Sequence, residues 1–144
     1  MPNRAIKQLI RNQQILTATA TMSVSDAATA MRSARVGAIM VLKGGKLAGI
    51  FTERDALYRV LAEGRDPTKT KIGEVMTADP TTVAPELPFG HALHLMYERG
   101  FRHVPVVDNG VPVGMVSARD ALGPELDQFE AELKERERLM EVMG

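Results

Sequence analysis

Cysteine is absent from all 144 residues, which excludes disulfide bridges and thiolate metal sites together. Aromatic residues make up only 4% of the chain, too few for the stacking platforms that hold single-stranded nucleic acid. Charge of one sign is also missing: Lys plus Arg and Asp plus Glu both number 18, so no global field draws the chain to polyanions or an anionic membrane. The longest apolar run, Val36 to Leu42, falls far short of the roughly 18 residues needed to cross a bilayer. Because the N-terminus also lacks the apolar core of a signal peptide, the expected location is the cytoplasm, without membrane contact. With no Cys, only three His and no spacing that suggests a nucleophile, base and orienting acid, catalysis and a catalytic cofactor are not expected. What remains is 44% hydrophobic and 25% charged, the balance of a globular domain.

The informative feature is a duplication. VGAIMVLKGGKLAGIFTERDAL, from Val36, returns from Phe101 as FRHVPVVDNGVPVGMVSARDAL. Asp120 minus Asp55 is 65, and that offset superposes Val41 on Val106, Gly45 on Gly110 and Arg54 on Arg119 without a gap. Each unit is too small to bury its own apolar face comfortably, so the halves are expected to share one core or lie face to face.

Apolar spacing predicts a short helix around Ile6, Leu9 and Ile10, extended chain over 14–20, and equivalent helices over 26–35 and 90–99. Branched apolar runs meeting Gly44-Gly45 and Asn109-Gly110 predict two tight hairpins. A stripe of Ala56, Leu57, Val60 and Leu61 predicts helix over 53–63, ended by Gly64 and Pro67. Outside the repeat, Leu126, Phe129, Leu133, Met140 and Met143 form a heptad seam broken by Arg136. That helix either covers the module's own apolar patch or meets a partner.

Chemistry concentrates at Gly49-Ile50-Phe51-Thr52-Glu53-Arg54-Asp55 and Gly114-Met115-Val116-Ser117-Ala118-Arg119-Asp120. Thr52 with Asp55 and Ser117 with Asp120 have the spacing of a helix N-cap, and capping alone explains those four residues. It does not explain Gly49 and Gly114 at matching places upstream, or Arg54 and Arg119 beside both aspartates. Glycine permits close approach of another group, and Arg beside a helix start offers positive charge to a phosphate. A carboxylate accepts from two hydroxyls at once, the chemistry that holds a ribose diol. His91, His94 and Glu98 could present a metal edge, but no further ligands stand nearby and no metal is expected. Gly44-Gly45-Lys46 lacks the Ser or Thr of a phosphate loop and reads as a turn.

The doubled motif, the run Val104 to Gly110 and the linker signature Ile72-Gly73-Glu74-Val75-Met76-Thr77 together resemble a tandem pair of CBS domains, a stand-alone regulatory Bateman module. The resemblance implies an α/β fold of two βαββα-type repeats related by pseudo-two-fold symmetry, over 1–63 and 72–123. Residues 64–71 are the linker and 124–144 a C-terminal helical extension. It further implies an adenine nucleotide (AMP, ADP, ATP or NAD-like) as regulatory ligand, a homodimer, and an effector protein as downstream partner. Thr52 with Asp55 and Ser117 with Asp120 map onto the ribose and phosphate contacts. Ile39, Met40, Arg102, His103, Val104 and Pro105, with residues 11–18 and 76–83, map onto the base-binding walls. Met40 stands where the second repeat has Pro105, and Arg11-Asn12 where it has Met76-Thr77, so the two clefts are expected to differ. The competing reading is a protein-interaction adapter whose nucleotide clefts are vestigial.

Overall fold

Hydrogen bonding keeps the 65-residue offset. In the computed structural model, which describes residues 3–143, strands β2 (Ala38–Lys43) and β3 (Lys46–Thr52) pair antiparallel from Ala38 opposite Thr52. Strands β5 (His103–Asp108) and β6 (Val111–Ser117) pair from His103 opposite Ser117, the same register. Even the bulge repeats, between Val41 and Leu42 and between Val106 and Val107. Both hairpins turn on two residues with positive φ, Gly44 (60°) with Gly45 (78°) and Asn109 (51°) with Gly110 (80°), the geometry whose twist matches the flanking strands.

The repeats differ at their edges. Before β2 the chain forms α1 (Ile6–Leu9), β1 (Thr17–Thr19) and α2 (Val24–Ala34), with β1 parallel to β2. In the second repeat α4 (Ile72–Val75), β4 (Thr77–Ala78) and α5 (Phe89–Arg99) precede β5. There the counterpart of β1 shrinks to one bridge, Val83 to Val106. Pro80 and Pro85, which have no N–H to donate, flank that bridge. β4 extends the first sheet to the order β1-β2-β3-β4. The corresponding edge of the second sheet is met by a side chain: the Gln13 amide donates to the Met115 carbonyl at 2.8 Å and accepts its N–H at 2.8 Å.

Two apolar cores form rather than one. Val24, Ala27, Met31, Ile39, Val41, Phe51 and Val60 of the first repeat pack with Ile72 and Val75 from α4. Phe89, Leu93, Met96, Val104, Val106 and Val116 of the second pack with Ile6 and Ile10 from the N-terminal segment. Each repeat thus completes its core with the other's leading helix. The exchange is fastened by Ile6 N–H to the Leu87 carbonyl at 2.9 Å and Ile72 N–H to the Met22 carbonyl at 2.8 Å.

After β3 the chain enters α3 (Glu53–Asp55) and continues as a π-helical turn, Ala56–Leu61, where ordinary α-helix was expected. After β6 only a 3₁₀ turn, Ala118–Asp120, forms before α6 (Gly123–Met143) starts afresh. The α6 seam divides. Phe129 is buried in the second core with Leu133 packed beside it, whereas Met140 and Met143 are 67% and 84% exposed. The front of the helix therefore covers the module's own core, and its end projects.

Candidate functional site

Both motif carboxylates are the N3 partners of capping boxes whose N-caps are Thr52 and Ser117. Asp55 Oδ2 accepts the Thr52 N–H at 3.0 Å and the Thr52 hydroxyl at 3.2 Å, while Thr52 Oγ1 accepts the Asp55 N–H at 3.2 Å. Asp120 Oδ2 accepts the Ser117 N–H at 2.7 Å and its hydroxyl at 3.4 Å. The reciprocal bonds satisfy backbone donors that a helix start would otherwise leave open. They also leave Oδ1 of each carboxylate for other chemistry. In the first motif Arg59 Nε stands 3.5 Å from Asp55 Oδ1, and Arg59 Nη1 donates to the carbonyls of Val75 (3.3 Å) and Met76 (2.9 Å). The offset places Pro124 where the second motif would need an arginine, and among the described residues no ion pair reaches Asp120. Arg4 instead donates to the Asp120 backbone carbonyl at 2.9 Å while pairing with Glu125 at 2.7 Å.

A cavity of about 870 Å³ opens on Asp55. Its wall joins the first motif (Thr52, Arg54, Asp55) to Thr77 and Thr81 of the second repeat and to Arg102 and His103 at the start of β5. Leu57 and Tyr58 add apolar surface. Such a volume, with an apolar side and a few convergent polar groups, suits a nucleotide-sized molecule. A smaller cavity of about 350 Å³ lies against the second motif, bordered by Arg35, Gly37, Ser117 and Arg119. Glu53, Arg102 and His103 border both. Burial holds His103 below the usual histidine range; Glu53 opposes that shift and Arg119 and Arg102 reinforce it.

The remaining sequence candidates separate by position. Arg54 reaches across to the second repeat and donates to the Gly100 carbonyl at 3.0 Å. Gly49 and Gly114 give room to protein: a Cβ on Gly49 would collide with Met76 Sδ and stand 2.9 Å from the Thr77 carbonyl, and one on Gly114 would lie 2.7 Å from Ile10 Cβ. Ile39, Met40, Val104 and Pro105 are fully buried and border neither cavity. Of the two lead-in stretches, 76–83 contributes Thr77, Asp79, Pro80 and Thr81 to the larger cavity, while 11–18 contributes nothing to the smaller. His94 packs its ring on Phe129 with centroids 4.8 Å apart, and Glu98 pairs with Arg136 at 3.6 Å. Among the described residues no group of three or more His, Asp or Glu is placed to hold a metal.

The CBS-domain model matches twice, over 6–62 and 72–123. The chain belongs to the CBS-domain family. It is 38% identical over 117 residues to CBS domain-containing protein CBSX3, mitochondrial, of Arabidopsis thaliana, which covers 78% of this chain. The chain spans 57% of that relative's length. Among solved structures, a signal-transduction protein with CBS domains from Burkholderia ambifaria shares 33% identity at a TM-score of 0.76, covering 81% of this chain and 89% of that one. The CBS domain pair of protein MJ0100, solved with 5′-methylthioadenosine and S-adenosyl-L-methionine, shares 28% identity at 0.74, over 83% of this chain and 93% of that one.

Within this CBS pair, sequence reasoning passed over Arg59, Arg35 and Glu53. Arg59 was legible, since it stands four residues after Asp55 in a helical stretch, the spacing of a charge pair on one face. Arg35 was legible by the offset, which aligns it with the helix-ending Gly100. Glu53 gave no signal, because an acid in the first turn of a helix already has a local reason to be there. No helix among the described residues is long and apolar enough to cross a membrane.

Proposed function

We propose that this CBS pair is a non-catalytic sensor that binds an adenosine-bearing ligand in the cavity at Asp55 and reports occupancy through the relative placement of its repeats. The observation that carries the reading is Asp55: a carboxylate 6% exposed, oriented by its cap and bordering a cavity walled by both repeats. Ribose hydroxyls would donate to it, Tyr58 and Leu57 would flank the base, and Arg102 with His103 would face the phosphate end. A ligand in that position touches both repeats at once, so it favours whichever arrangement brings them to it. The MJ0100 pair, with its adenosine ligands, supports the ligand class. A homodimer is the assembly that the family resemblance implies, and the effector would be a separate protein.

A thermal-shift series with AMP, ADP, ATP, NAD and S-adenosylmethionine tests this. Ligand at 100 times its dissociation constant adds about 2.7 kcal/mol, a rise of several degrees. That rise is expected for at least one of the five and is lost in Asp55→Asn. One observation favours the adapter reading, the exposure of Leu139, Met140, Val142 and Met143 at the end of α6. No shift with any of the five ligands would move the function to that helix.

A further inference from the structure

The two cavities differ in the state of their charges. On the larger one, Arg54 is committed to the Gly100 carbonyl and Arg59 to Asp55, Val75 and Met76, and the acids Glu53, Asp55 and Asp79 share the wall. On the smaller one stand Arg35, Arg102 and Arg119, with Glu53 the single acid. Among the described residues no hydrogen bond or ion pair engages any of these three guanidinium groups. Three such charges against one acid around a concave surface concentrate positive field there and attract a multiply charged anion. Planar guanidinium forks match the oxygens of phosphate.

Arg35 adds an independent observation. It ends α2 with φ 56° and ψ 42°, the left-handed region that disfavours any residue with a Cβ. The second repeat closes the matching helix with Gly100 at φ 73°. One copy thus meets the backbone demand with the residue suited to it, and the other holds an arginine there despite the strain, on the wall of the cationic cavity. Strain retained at a cavity wall points to use of the side chain.

We propose that the smaller cavity is an anion pocket for a di- or triphosphate group, with Arg35 as the residue that sets its preference for charge. It rests on the adenosine-ligand reading only for the nucleoside attached to that group. The larger cavity, whose own Arg54 and Arg59 are already engaged and whose one arginine shared with the smaller is Arg102, takes the weakly charged nucleoside end.

Calorimetric titration of the full chain with tripolyphosphate, ATP and adenosine tests the assignment, using wild type, Arg35→Gly and, as a charge control on the same helix, Arg32→Gln. Glycine suits the left-handed position, so Arg35→Gly keeps the fold and its melting temperature should hold or rise. Tripolyphosphate is expected to bind wild type, to weaken at least tenfold in Arg35→Gly with a shallower salt dependence, and to be unchanged in Arg32→Gln. ATP should lose affinity by the same factor and adenosine by none. ATP binding tighter than tripolyphosphate would assign the group to a nucleotide; equal binding would assign it to a free polyphosphate. Absence of tripolyphosphate binding to wild type, or equal loss in both variants, overturns the pocket whatever adenosine does. Tripolyphosphate binding through Arg35 with no response to any adenosine compound would instead overturn the nucleoside reading and leave the pocket standing.

Discussion

Asp55 and Asp120 are cut from one template, and each accepts the N–H of its own capping residue at 3.0 and 2.7 Å. Around that shared cap the two motifs diverge. Asp55 is nearly sealed, held by Arg59, and borders the large cavity. Asp120 is half-buried, is followed by Pro124 in place of an arginine, and is anchored through its backbone by Arg4. Duplication therefore preserved the cap, which is local, while the surroundings that decide ligand chemistry came from residues outside the motif. Equal motifs do not make equal sites.

The glycines give the largest expected effect on that comparison. Gly114→Ala drives a Cβ against the branched Cβ of Ile10, and Gly49→Ala drives one against the Met76 thioether and the Thr77 backbone carbonyl. Melting should show each substitution losing about 2–3 kcal/mol, and a clearly smaller loss at either one would show that its neighbour yields. Next come the carboxylates: Asp55→Ala removes a cap and an ion pair and should lose about 2 kcal/mol, against about 1 kcal/mol for the cap alone in Asp120→Ala. Equal losses would show that Arg59 contributes nothing to the first motif. Smaller again is Arg59→Gln, which frees the Asp55 oxygen that ribose hydroxyls would use; AMP should then bind about two- to fivefold tighter, read by titration calorimetry.

The smallest effect is on pH dependence. His103 is held below its ordinary value by burial, so the folded chain binds fewer protons than the unfolded chain as pH falls below about 6.5, and stability must fall with it. His94, depressed chiefly by burial against α6, acts in the same direction. Melting temperature should therefore drop between pH 7.5 and 5.5, and His103→Gln should flatten the drop. An unchanged slope would place the acid sensitivity elsewhere.

Much of this was legible in the sequence because the repeat is gapless. One subtraction made the two hairpins, their Gly44-Gly45 and Asn109-Gly110 turns and the two capped motifs equivalent, and the resemblance named the family. The exchange of leading helices was not legible: the spacing of Ile6, Leu9 and Ile10 says that a face is buried, not which repeat buries it. The shortening of the second lead-in strand to one bridge could have been anticipated from Pro80 and Pro85, since prolines on both sides remove the donors that would lengthen the pairing at Val83. Gly49 and Gly114 show the opposite hazard. Each permits a close approach, as the sequence suggested, and the group approaching is Met76 in one repeat and Ile10 in the other. Sequence spacing gives the need for space without the identity of what fills it.

The measurement that bears most directly on the account is calorimetric titration of AMP into wild type, Asp55→Asn and Asp120→Asn, both amide variants retaining a capping oxygen. The expected result is binding to wild type that falls at least tenfold in Asp55→Asn and changes far less in Asp120→Asn. Wild-type affinity for AMP in Asp55→Asn would contradict the assignment of the larger cavity as the adenosine site.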